Sequence, residues 1–302
     1  MTKKKRLSSR SKRVSFFLFE ILKTTIKRFN EDRCGNLAIT ISYFTLLCSV
    51  PLVALFAYVS TKLLGTSELA FRSLNIFSDE FFAKLDPYFF QKIQDVSQNI
   101  ANLGWFGLVG SFIAASFLFS NLIYSINFIF KANYQKSFFY NRLMEYLIMF
   151  VIGIIMLISL SITVIWTAIH RTIRESVFVA SHINPEIVSL ADNFFLQYLI
   201  PFTLTFLVFF SLYKFIPEVK VYTRAAVIAA SIGALLWEIF KRLFAFYIAH
   251  FSAIGVVLSK LLKGTLSSII FFLIWITFSL VILLWGAELA SVLNEKYHEK
   301  QA

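Results

Sequence analysis

Apolar residues fall along this chain in long unbroken runs separated by short charged segments. Four charge-free runs precede residue 214, at 37–60, 102–130, 146–169 and 193–213, and another spans 264–287. A hydrocarbon core takes about 20 residues of helix, so each run predicts a membrane span. The segment 225–259 is interrupted only by Glu238, Lys241 and Arg242. The reading adopted is one helix over 225–250 that carries an internal charge cluster. The rival reading splits the run at the charges and leaves 225–237 too short to span. The pattern predicts an all-α polytopic membrane bundle of six transmembrane helices, at about 37–60, 102–130, 146–169, 193–213, 225–250 and 264–290. Residues 1–34 then form a basic tail with an interfacial helix, 35–293 the transmembrane domain, and 294–302 a C-terminal tail.

Two further segments show helical periodicity without the length to cross. Val14, Phe17, Leu18, Ile21, Leu22, Ile26 and Phe29 recur at helical spacing, with Glu20, Lys23 and Lys27 on another face. That pattern predicts an amphipathic helix lying in the membrane interface. Phe89, Ile93, Val96 and Ile100 repeat similarly in the first outer loop. Orientation follows from Lys and Arg in the short loops. The N-terminal tail, the loop with Lys131, Lys136 and Arg142, and the loop with Lys214, Lys220 and Arg224 fall on one side if the spans alternate. Segments 65–101 and 170–192 are richer in acids. Both termini are therefore expected in the cytoplasm, although Lys260 and Lys263 would then lie outside.

Composition agrees with this reading. Hydrophobic residues make up 58% of the chain and charged residues 15%, against about half and a quarter in a soluble domain. The net charge of +12 invites a nucleic-acid partner, but the bases crowd the N-terminus and the span flanks. Anionic lipid headgroups are the better partner for that tail, at ~1 kcal/mol per basic residue, and no specific nucleic acid is expected. Cys34 and Cys48 are the only cysteines, and neither their spacing nor that of the four histidines suits a metal. The first apolar run starts too late and runs too long for a cleaved signal peptide. No phosphate-binding loop, dinucleotide fingerprint or nucleophile elbow is present, so no enzyme activity and no cofactor is expected.

The unusual residues are polar ones inside apolar runs. Glu238, Lys241 and Arg242 stand at i, i+3 and i+4 on one helical face. A charge near mid-bilayer costs ~3 kcal/mol or more unless paired or wet, so the cluster reads either as a polar cavity or as a structural ion pair. Glu288 closes the last span, where the bland reading puts a carboxylate at the aqueous interface. Asn121 and Asn127, with Ser116, Ser120 and Ser125, read as interhelical hydrogen bonding or as cavity lining. Pro51 and Pro201 each remove a backbone donor and predict helix kinks. Gly104, Gly107, Gly110, Ala114 and Ala115, and separately Ala229 and Gly233, make small faces for close helix packing.

Several stretches resemble the YihY/BrkB family. The run Leu37-Ala38-Ile39-Thr40-Ile41-Ser42-Tyr43-Phe44-Thr45-Leu46-Leu47-Cys48-Ser49-Val50-Pro51-Leu52 is similar to its opening signature. Tyr213-Lys214-Phe215-Ile216-Pro217 followed by Arg224 and Gly233 resembles a family loop, as does Leu235-Leu236-Trp237-Glu238-Ile239-Phe240-Lys241. Gly264, Trp275 and Gly286-Ala287-Glu288 fall at the family spacing, while Lys263, Ile270 and Thr277 depart from its usual residues. The resemblance implies a six-helix bacterial inner-membrane protein associated with virulence, of a kind proposed to move lipids or ions. An older family label, ribonuclease BN, has no histidine–aspartate metal cluster here to support it. The expected function is a transporter or lipid-translocating protein using Glu238, Lys241 and Arg242, with Asn121, Asn127, Tyr43 and Glu288 as further candidate contacts. The alternatives are a scaffold that binds partners through the basic tail and a membrane nuclease. A homo-oligomer is compatible with all three.

Overall fold

The computed structural model describes residues 19–64, 105–132, 139, 142–155, 199–251 and 265–299. The basic tail 1–13, the start of the amphipathic segment at 14–18, the outer-loop segment 89–100 and the loop 170–192 lie outside the described residues. So do 156–169 of the third expected span, 193–198 of the fourth, Lys260, Lys263 and Gly264. Among the described residues helix is the only regular secondary structure. The helices are α1 (19–31), α2 (Cys34–Leu64), α3 (Trp105–Ile129), α4 (142–155), α5 (Ile200–Phe215), α6 (Thr223–Phe251) and α7 (Thr265–Glu299). Helix is the only open-chain structure that satisfies every backbone polar group inside hydrocarbon. Stretches of α3 (Phe112–Ile129), α6 (Thr223–Tyr247) and α7 (Ile269–Glu299) are long and apolar enough to cross a membrane. Cys34–Ser49 and Ile200–Phe215 are shorter apolar stretches.

Helix α7 is the hub: α2, α3, α5 and α6 all pack on it, α2 also packs on α3, and α5 on α6. Phe112 and Tyr146, with ring centroids 5.0 Å apart, join α3 to α4. At 35 residues, α7 is about 52 Å long and outruns a hydrocarbon core of ~30 Å. The last helix therefore does not stop near residue 290, as its apolar run suggested, but continues through the expected tail. Every residue from 286 to 294 is buried, polar ones included, so this stretch is enclosed on all sides.

Small residues set the close approaches. Ala225, Ala226, Ala229, Ala230, Gly233 and Ala234 form the buried face of α6. A Cβ at Gly233 would lie 2.9 Å from Phe209 Cδ2 on α5. On α7, Gly286 lies beneath the ring of Tyr213, whose hydroxyl donates to the Leu283 carbonyl at 2.8 Å. In α3 the small face is used by Ala115, fully buried, and Ala114, whose carbonyl accepts from Cys48 Sγ at 3.0 Å. Among the described residues nothing lies within 4 Å of a Cβ added at Gly110. Between α2 and α7, Thr277 Oγ1 lies 2.9 Å from Ser42 Oγ.

Candidate functional site

The structure places the polar candidates in two clusters at different heights along α7. The upper one belongs to α6, which runs unbroken through its three charges. Glu238 is 5% exposed. Lys241 Nζ lies 2.8 Å from its Oε1 as an ion pair too bent to be a hydrogen bond, and Arg242 Nη2 lies 3.9 Å from its Oε2. Spacing alone produces this geometry, since i+3 and i+4 are the helical neighbours of i. The Lys241 side chain is partly covered, whereas that of Arg242 is half exposed. Arg242 lies on a stripe with Leu235, Ile239, Leu243 and Phe246, all exposed. Behind the pair, α6 is closed onto α7 by aromatic rings. Phe240 and Phe244 lie 5.1 and 5.0 Å from Trp275, and Trp237 lies 5.3 Å from it.

The lower cluster surrounds the last turns of α7, thirteen residues or about 20 Å further along the helix than Trp275. Here the structure corrects the reading of Glu288 as an interfacial carboxylate: it is 0% exposed. The correction has a physical cause. Because α7 continues to Glu299, α1 can pack along the extension, and Arg28 Nη1 and Nη2 donate to both oxygens of Glu295 at 2.8 and 2.5 Å. Lys296 adds a contact to Glu20 at 2.9 Å. The hydrogen bond from Arg28 holds the Glu295 carboxyl below its usual range and, reciprocally, holds the Arg28 guanidinium more firmly protonated. The amphipathic helix is thus docked on one face, through Ile21, Thr25 and Arg28, while Phe19, Leu22 and Ile26 remain exposed.

The turn between α5 and α6 completes this lower layer. Asn127 Oδ1 accepts from the Glu218 amide at 2.8 Å, Asn294 Oδ1 from the Tyr222 amide at 2.8 Å, and Asn294 Nδ2 donates to the Lys220 carbonyl at 3.2 Å. Ser291 Oγ donates to the Ile129 carbonyl at 3.2 Å, and Lys214 Nζ to the Val221 carbonyl. Helix α3 ends with Lys131 at φ 51, its amide on the Phe128 carbonyl and that of Ala132 on Asn127. This is the left-handed stop usually made by glycine. Arg33, between α1 and α2, also has positive φ, at 50.

The remaining candidates stay apart. Asn121 turns back on its own helix, Nδ2 donating to the Phe117 carbonyl at 2.8 Å. Tyr43 is 56% exposed on the outside of α2, its ring edge-on to Phe44. Pro51 lies inside α2, where it deprives the Leu47 carbonyl of its helical donor. Pro201 is the second residue of α5, and Leu199, just before that helix, is already in helical backbone. Sequence reasoning missed Asp32, Glu218, Arg28 and Glu295 because each stands among ordinary span-flanking charges. Among the described residues no group of three or more His, Cys, Asp or Glu is placed to hold a metal ion.

Comparison with known proteins returns the family suggested by the motifs. The family model described as Virulence factor BrkB matches residues 25–302. A UPF0761 membrane protein of Vibrio campbellii is 27% identical over 285 residues, covering 94% of this chain and 84% of the relative. One from Pseudoalteromonas atlantica is 25% identical over 278 residues, covering 90% and 87%. One from Acinetobacter baylyi is 26% identical over 292 residues, covering 93% and 64%. No solved structure matches. These relatives are named as membrane proteins without a reaction or cargo. The match runs from α1 through α7, so the chain is an integral membrane protein that belongs to the BrkB virulence-factor family.

Proposed function

We propose that the protein is a bacterial inner-membrane transporter that moves a lipid or similar amphiphile with an anionic headgroup, using the charged triplet of α6. The observation that carries this reading is the setting of that triplet. Glu238 is buried and anchors Lys241, while Arg242 stands half exposed in the middle of the apolar stripe Leu235, Ile239, Leu243 and Phe246. A guanidinium matches phosphate oxygens two at a time, and the flanking stripe matches acyl chains. Charged groups at such depth are costly enough to mark substrate pathways more often than ornament.

Orientation with both termini in the cytoplasm is supported by the convergence of Arg28, Lys131, Lys214, Lys220 and Lys296 around the lower end of α7, the side that basic residues favour. At that end Lys23 and Lys27 flank the exposed Phe19, Leu22 and Ile26 of α1, an arrangement suited to anionic headgroups.

The test is movement of a fluorescent anionic phospholipid between leaflets of proteoliposomes. Arg242→Ala and Lys241→Ala are expected to slow it about tenfold, equivalent to ~1.4 kcal/mol of lost interaction, and Glu238→Gln to slow it by releasing Lys241. Wild-type rates in all three variants would remove the triplet from the pathway.

A further inference from the structure

We propose that Glu288 is a proton-exchange site built into the central helix. Its carboxylate is 0% exposed, and among the described residues neither oxygen has a hydrogen-bond partner. Across from α7, Asn127 is 1% exposed, commits its Oδ1 to the Glu218 amide, and has an unpartnered Nδ2. Among the described residues Asp32 Oδ2 and Glu218 Oε2 are buried without a partner as well. The lower layer thus contains unpartnered buried acceptors on α7, in the turn after α1 and in the turn after α5, and a buried donor on α3.

Charges on several elements act on Glu288, among them Arg28 and Asp32 from α1 and the turn after it, Lys131 from the end of α3, and Glu295 two turns further along α7. Cys34, the first residue of α2, lies within the field of Glu288. Helix α5 faces this level with Tyr213, whose hydroxyl is held by the Leu283 carbonyl. Arg28 pairs with Glu295 through both terminal nitrogens and makes no hydrogen bond to Glu288. An ionised carboxylate buried without a partner costs more than a fold can spare. A metal ion would need several oxygen ligands, and no such group exists among the described residues. A proton needs no coordination shell. Exchange makes or breaks one O–H bond at Glu288, and the proton comes from and returns to water at the lower end.

Use of this site to couple transport to a proton gradient rests on the transport reading above; the proton site does not. The test is infrared difference spectroscopy of the full chain in nanodiscs, with glutamate labelled by carbon-13, across roughly pH 5 to 9. The expected result is a titrating protonated-carboxyl band that disappears in Glu288→Gln and persists in Glu238→Gln. Asp32→Asn, which removes a negative neighbour, should move the titration to lower pH, and Lys131→Ala should move it to higher pH. Those two arms decide the matter should Glu288→Gln fail to fold. Absence of a titrating band, its persistence in Glu288→Gln, or midpoints unmoved by both neighbours would overturn the proposal. A proper titration with lipid movement indifferent to a pH gradient would leave the proton site standing and remove its coupling role.

Discussion

The close approach of α7 to α5 depends on Gly286 lying under the Tyr213 ring, and that dependence can be measured. In Gly286→Ala the new methyl would lie 3.0 Å from Tyr213 Cζ and nearer still to the hydroxyl oxygen, against an ordinary carbon contact of about 3.5–4.0 Å. Tyr213 cannot swing aside. It is 0% exposed, its hydroxyl is bound to the Leu283 carbonyl at 2.8 Å, and its ring lies 5.7 Å from Phe209, which itself covers Gly233. Overpacking of this kind costs ~1–3 kcal/mol. Replacing a helical glycine returns roughly 1 kcal/mol, so the net loss is ~0–2 kcal/mol. Tyr213→Phe removes the oxygen and one hydrogen bond, at ~0.6–1.5 kcal/mol. The Leu283 carbonyl keeps its helical donor and is not orphaned. In the double variant the methyl occupies space the oxygen has vacated, so the two losses should not add. A favourable coupling of about 1–2 kcal/mol is expected, a factor of roughly 5–30 in the unfolding equilibrium. The assay is SDS-driven unfolding of the wild type, both single variants and the double variant from the same mixed micelles. Additivity within ~0.5 kcal/mol would refute the reasoning, because it would mean that the tyrosine oxygen does not limit the approach of α7.

Two other outcomes follow from the lower layer. Because Arg28 depresses the Glu295 carboxyl, this pair contributes stability above the unfolded carboxylate range near pH 4.3, and the contribution is lost as pH falls through the lower folded value. Arg28→Ala should remove that acid transition and let α1 detach more readily at neutral pH, read by the mobility of a spin label at Leu22; unchanged mobility would contradict the docking. Asn294→Ala removes the side-chain acceptor of the Tyr222 amide and one of the two side chains on the Lys220 carbonyl, the other being His298. It should cost ~1–3 kcal/mol, and amide exchange should quicken at Tyr222 while the middle of α3 is unaffected.

What could be read in the sequence divides along the range of the interactions involved. The ion pair of Glu238 with Lys241 depends only on helical spacing, so the positions alone foretell it. The small face at Ala229 and Gly233 is likewise a local pattern, and the structure uses it against Phe209. Asn121 and Asn127 are indistinguishable as letters six residues apart in one apolar run. They separate because the turn after α5 brings the Glu218 amide, 91 residues away, to Asn127 alone, while Asn121 is left to bond its own helix. Glu288 was misplaced for the same reason. Hydropathy along α7 falls after Ala290, which by itself signals a span ending in water. The contact that reverses this joins Arg28 to Glu295 across 267 residues, and no window along the chain contains both. A carboxylate cheap at an open helix end becomes costly once that end is enclosed, as it is here where α1, the end of α3 and the turn after α5 all pack around the extended α7. The long-range packing that no window along the chain contains is therefore also what leaves Glu288 buried without a partner among the described residues.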